Sequence, residues 1–143
     1  MQALLEIARS TRKGEPIAAS EIAKSQNISI KFLESILTKL RRGSFVKSIR
    51  GSSGGYVLAI DPKRISVADV IRCIEGPLAA VGEKAPESAR YKGSAKHLTD
   101  AWIATRVALR DTLENISLED LSTGEYVKEV EARLRRKDAW KRR

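Results

Sequence analysis

The apolar period of the chain changes at Gly43, and that change constrains the fold more than any other feature. Before it, SIKFLESILTKLRRG places Phe32, Leu33, Ile36, Leu37 and Leu40 at helical spacing, with Ser29 as N-cap and Gly43 as the stop. After it, FVKSI and YVLAI are rich in β-branched and aromatic residues, and RGSSGG lies between them as the turn of a hairpin. Upstream, MQALLEIARSTRKG sets Ala3, Leu4, Ile7 and Ala8 on one helical face. Ser20 caps a short helix, SEIAKSQ, which Asn27 and Ile28 join to the next. Two helices joined by a short turn, the second longer and basic, form a helix-turn-helix pattern. The hairpin that follows directly makes it a winged helix.

The Gly/Ser loop is then the wing tip. A phosphate-binding P-loop would need G-K-S/T and a following helix, and YVLAI does not read as a helix start. Glycines let a tip take positive φ and let backbone N–H groups approach a phosphate closely. Arg50, Ser52, Ser53 and Gly54 are the expected wing contacts, with Arg50 placed to reach a phosphate or enter a minor groove. Lys39, Arg41 and Arg42 read either as phosphate contacts or as solvated charge.

Asp61-Pro62 ends the hairpin, and Ser66 caps a further helix, SVADVIRCIEG, with Val67, Val70, Ile71 and Ile74 apolar. Gly76-Pro77 stops it, and residues 78–93 read as a connecting loop. Ser94 opens the longest helical pattern, SAKHLTDAWIATRVALRDTLENI. Its stripe of Leu98, Trp102, Leu109, Leu113 and Ile116 is flanked by Ala101, Ala104 and Ala108, which allow close approach. A helix of about 20 residues extends about 30 Å, too far for residues 1–77 to cover. The expected cover is a second copy of the same helix. Ser117 caps the short LEDLSTG helix, completing a dimerisation segment at 94–124, and residues 125–143 read as a basic, mobile tail. The expected class is mainly α with a small β-hairpin: a winged helix-turn-helix domain plus a long C-terminal dimerisation helix.

Charge is uneven along the chain. Residues 1–76 hold 13 basic and 7 acidic groups, net +6; residues 77–132 hold 7 and 10, net −3; residues 133–143 hold 7 and 1, net +6. These sum to the overall +9 and point to a polyanion partner for particular surfaces. No stretch is apolar enough to span a membrane, and the start carries Glu6 rather than a secretory core, so a cytoplasmic setting is expected. One cysteine, Cys73, and one histidine, His97, exclude an internal disulfide and the usual zinc clusters. With so few nucleophiles and bases, and no phosphate loop, enzyme chemistry has no residues to stand on.

The run ISIKFLESILTKLRRGSFVKSIRGSSGGYVLAIDPKRISVADVIRCIEGP resembles the Rrf-two family of bacterial winged-helix transcription regulators. The matching pieces are FLE in the second helix, then KLRRGSFV, then RGSSGGYVLA, then the helix ending IEGP. The later HLTDAW and LRDTLENISLEDL are similar to the family's dimerisation and closing helices. The resemblance implies that the chain binds a pseudo-palindromic operator on double-stranded DNA as a homodimer, with repression as the expected output. It also carries Ser29, Lys31 and Glu34 onto the DNA-facing side of the recognition helix, which their position off the apolar stripe allows. Lys31 would bond guanine O6/N7 and Glu34 would accept from cytosine N4, the alternative for Glu34 being an i,i+4 or capping partner on a solvated face.

Two departures stand out. Family members carry further residues before the ALLEIA helix, whereas Met1 falls inside it, which bears on an N-terminal backbone contact and part of the dimer packing. Cluster-binding members place cysteines in the loop before the long helix, and here that loop has none. No cofactor is therefore expected. Cys73 reads as a structural thiol with a redox role as the alternative. The competing function is a protein-interaction module, or a regulator controlled by docking with a metabolic enzyme through the acidic stretch Asp111 to Asp120. An iron–sulfur or redox sensor stands third. The loop from Leu78 to Gly93 is the expected wall of any small-molecule effector pocket.

Overall fold

The computed structural model describes residues 1–80 and 85–141. In chain order the elements are α1 (Gln2–Arg12), α2 (Ala19–Gln26), α3 (Ile30–Arg42), β1 (Val46–Ile49), β2 (Gly55–Leu58), α4 (Val67–Glu75), α5 (Leu98–Leu113), α6 (Leu118–Thr123) and α7 (Lys128–Leu134). Short 3₁₀ turns lie at Pro62–Arg64, Pro86–Ser88 and Gly93–Ala95. The helices fall into two units, residues 1–65 with 117–123, and residues 66–116 with 124–143.

The first unit is the winged helix. α1 packs on α2, β2 and α6, α2 packs on α3, and α3 packs on β1. Ala3, Leu4, Ile7 and Ala8 are all buried, as the spacing of α1 predicts. Ile22 of α2 joins them, with Leu33, Leu37 and Leu40 of α3, Val46 of β1 and Leu118 of α6. Each fully buried Leu or Ile contributes on the order of 2 kcal/mol by leaving water. α2 starts earlier than its serine suggests: Ala18 is the N-cap, and Glu21 Oε2 accepts from the Ala18 N–H at 3.3 Å. Ser29 caps α3 by position, and Asn27 takes the left-handed conformation that turns the chain between α2 and α3.

Residues 50–54 link β1 and β2, which pair antiparallel with Val46 opposite Leu58 and Ile49 opposite Gly55. Ile17 adds a bridge to Tyr56, with N–H···O distances of 3.1 and 2.8 Å. The close approach explains the paired glycines. A Cβ on Gly55 would lie 2.4 Å from the Ile17 carbonyl oxygen, and one on Gly54 would lie 2.4 Å from the Ile49 oxygen. Thr11 of α1 accepts from the Leu58 N–H at 3.0 Å, so the wing is tied to the first helix as well as to α3.

In the second unit, Ser66 caps α4 by accepting from the Asp69 N–H at 3.1 Å, as its sequence predicts. α5 packs against α4 and the 86–88 turn. It begins four residues after Ser94, with His97 at the N-cap, because Gly93–Ala95 forms a separate 3₁₀ turn. At about 1.5 Å per residue α5 is about 24 Å long, and none of its 16 residues is buried. Residues 78–80 and 85–93 of the connecting segment contain the Pro86–Ser88 turn and the buried Leu78 and Pro86; residues 81–84 lie outside the described residues. The stretch read as a basic tail contains α7, whose Val130 is buried.

Candidate nucleic-acid interface

α3 is strongly two-sided. Leu33, Leu37 and Leu40 recur at helical spacing and are at most 1% exposed. The same spacing leaves Lys31, Glu34, Ser35, Lys39, Arg41 and Arg42 exposed to solvent. Among the described residues, no ion pair engages Lys31, Glu34, Arg41, Arg42 or Arg50, whereas Arg9, Arg12, Arg72, Arg106, Arg110, Arg135 and Arg136 all have carboxylate partners. Cations that no carboxylate engages among the described residues keep their charge available to an external polyanion.

The Glu34 backbone carbonyl accepts from Thr38 Oγ1 at 2.8 Å. Its carboxylate has no described partner. Ser29 is exposed, and its side chain makes no capping bond to the start of α3. A free helix N-terminus favours an anion such as phosphate. Arg50, Ser52 and Ser53 are exposed on the wing, and Gly54 is half-buried, with its N–H bonded to the Gly51 carbonyl at 3.0 Å.

Sequence reasoning missed Phe32. Its period suggests a core residue, yet it is 61% exposed, with Ile30 beside it at 44%. Hydropathy cannot distinguish these positions, because Phe32 lies only one residue from the stripe that is buried. Its location between Lys31 and Glu34 was the available signal.

The expected dimerisation residues all map to α5 or just beyond it. Leu98 and Leu109 are exposed, while Trp102, Leu113 and Ile116 are half-buried. Val107, which the stripe omits, is more exposed than any of them at 48%. Trp102 Nε1 is shielded from solvent and has no acceptor among the described residues. Cys73 lies half-buried in α4 and forms no disulfide.

The Rrf2 family model, described as an iron-dependent transcriptional regulator, matches residues 1–124. This chain belongs to the Rrf2 family. CymR of Bacillus subtilis, an HTH-type transcriptional regulator, is 37% identical over 120 residues, covering 84% of this chain and 81% of its own. IscR of Escherichia coli, also an HTH-type transcriptional regulator, is 32% identical over 138 residues, covering 96% and 83%. The solved structure of B. subtilis CymR, described as a global cysteine regulator, superposes with a TM-score of 0.70 at 34% identity, covering 87% of this chain and 90% of that one. The chain is therefore a DNA-binding transcriptional regulator of winged-helix fold and not an enzyme.

An iron centre does not fit this member's residues. The chain has one Cys and one His. Among the described residues, no three or more His, Cys, Asp or Glu side chains gather to hold a metal ion. His97 pairs instead with Asp100 at 3.3 Å on an exposed surface. No described helix is long and apolar enough to cross a membrane.

Proposed function

We propose that the protein is a cytoplasmic, homodimeric repressor that reads a pseudo-palindromic operator. The observation carrying this reading is the exposed α3 face, where Lys31, Arg41, Arg42 and the Glu34 carboxylate have no ion-pair partner among the described residues. An acid facing a phosphate duplex is costly, so Glu34 functions as a base reader, accepting from cytosine N4 while Lys31 bonds guanine. Ser29 and the first-turn N–H groups seat a phosphate, and Lys39, Arg41 and Arg42 follow the backbone. Arg50 with Ser52, Ser53 and Gly54 brings the wing onto the adjacent backbone or minor groove.

Dimerisation through Leu98, Trp102, Leu109, Leu113 and Ile116 would cover the α5 face that this chain leaves open. Two α3 helices then meet half-sites spaced about one helical turn apart. Fluorescence anisotropy on the protein's own upstream DNA and on a scrambled duplex, at two salt concentrations, tests the reading. The expected result is tight, sequence-selective binding that weakens with salt. Equal weak binding to both duplexes would instead favour a protein partner for this surface.

A further inference from the structure

The second unit contains a cavity of about 550 Å³ whose walls include Arg72 of α4, Arg106 and Arg110 of α5, Leu78 and Glu87. That volume falls within the roughly 300–1,000 Å³ typical of small-molecule sites. Three guanidiniums against one lining carboxylate give the walls a formal charge of +3 − 1 = +2. None of these residues belongs to the DNA-facing set.

The existing pairs leave particular donor edges open. Arg72 Nη2 and Arg110 Nε converge on the same oxygen, Glu114 Oε1, and Arg72 Nη1 is spent on Asp69 at 3.1 Å. Arg106 gives Nη1 to Glu87 Oε2. The Nε–Nη2 edge of Arg106 and both Nη groups of Arg110 have no described acceptor, and a guanidinium edge matches a carboxylate or phosphate with two parallel N–H···O bonds. Glu87 is the displaceable member. Its side chain is 57% exposed and sits on a single 3₁₀ turn, while the Arg106 side chain it pairs with is 24% exposed. An anion arriving from solvent meets the carboxylate before the cation.

We propose that this cavity binds a small organic anion, held by Arg106 and Arg110 through a carboxylate or phosphate group that takes the place of Glu87. Leu78, 6% exposed, supplies an apolar wall for the rest of the molecule. The inference stands on the cavity alone and does not rest on the DNA reading.

Calorimetric titration of the full chain with inorganic phosphate and, separately, with succinate tests it, at ionic strength held constant with potassium chloride. Whichever probe binds identifies the preferred anionic group. Saturable binding is expected for at least one, weakened about tenfold by Arg106→Gln, since charge-assisted hydrogen bonds are at stake. Glu87→Gln removes the internal competitor and is expected to tighten binding, an effect in the opposite direction that cannot come from misfolding. Arg50→Ala should leave the titration unchanged. No saturable heat in both the parent and Glu87→Gln overturns the proposal, as does binding that ignores Arg106→Gln or disappears with Arg50→Ala.

Discussion

Phe32 is 61% exposed on a helix whose Leu33, Leu37 and Leu40 are almost wholly buried. Leaving a phenylalanine in water forfeits about 2 kcal/mol of burial, and its neighbours Lys31 and Glu34 already face the proposed groove. The apolar feature of a major-groove edge is the thymine methyl, which Phe can contact. Replacing operator thymines by uracil should then cost about 0.8 kcal/mol at the contacted position, or about fourfold in affinity. Phe32→Ala should abolish that sensitivity; uracil sensitivity that persists in the variant would exclude the contact. The charged residues divide differently. Lys31→Ala should relax sequence preference, whereas Arg50→Ala should weaken operator and scrambled DNA alike and lower the salt slope by about one. Anisotropy over a salt series separates the two, and equal losses on both duplexes for both variants would defeat the division of labour. At this scale the charged face of α3 was legible, because polar residues off an apolar stripe must face solvent. Phe32 was not legible, because apolar residues are read as core wherever they adjoin a stripe.

Elements depend on a few tight approaches. Gly55 lets β2 approach Ile17 so closely that the two backbones exchange hydrogen bonds at 3.1 and 2.8 Å. Gly55→Ala would force a methyl to 2.4 Å from the Ile17 oxygen. Losing both bonds and shifting the strand should cost about 2–3 kcal/mol, read as a lower denaturant midpoint, while Ser53→Ala on the exposed tip should leave stability unchanged. The α1–α2 junction carries a pH dependence. Glu6 accepts from Arg9 at 2.8 and 3.0 Å and from Gln26 at 2.7 Å. The Arg9 hydrogen bond, above all, lowers its pKa below the ordinary 4.5, against the opposing pull of burial. A depressed folded value means the fold favours the ionised form. This stabilisation is present above the ordinary value and is lost as pH falls through the folded one. Thermal midpoints of the parent and Glu6→Gln should therefore converge as pH drops well below 4.5; a constant gap would show that Glu6 acts without its charge. Caps at Ser66 and Ser117 were legible from sequence, and both make the predicted bonds at 3.1 Å. The start of α5 was not, because a 3₁₀ turn at Gly93–Ala95 uses the same serine signal without continuing into the helix. Nor was α7, whose few apolar residues are diluted by charge.

For the molecule as a whole, the decisive observation is a 16-residue helix with no buried residue that carries Leu98, Val107 and Leu109 exposed beside Ala101, Ala104 and Ala108. Small residues between large apolar ones suit close packing of a second helix, and a lone α5 would leave that surface in water. The sequence showed the apolar stripe of this helix but neither its start nor the arginine-lined cavity, because Arg72, Glu87, Arg106 and Arg110 converge only after folding. If two copies pair through α5, operator affinity and self-association are linked, because tethering makes binding of the second half-site intramolecular. Leu109→Glu would place an unpaired charge in the interface and should shift sedimentation from dimer to monomer. Operator affinity should fall by about 10²–10⁴-fold, the avidity that a linked pair can supply. Binding to a single half-site should change little, since α3 and the wing are untouched. A variant that stays dimeric would remove α5 from the interface. One that becomes monomeric yet keeps full operator affinity would show that each copy reads its site alone.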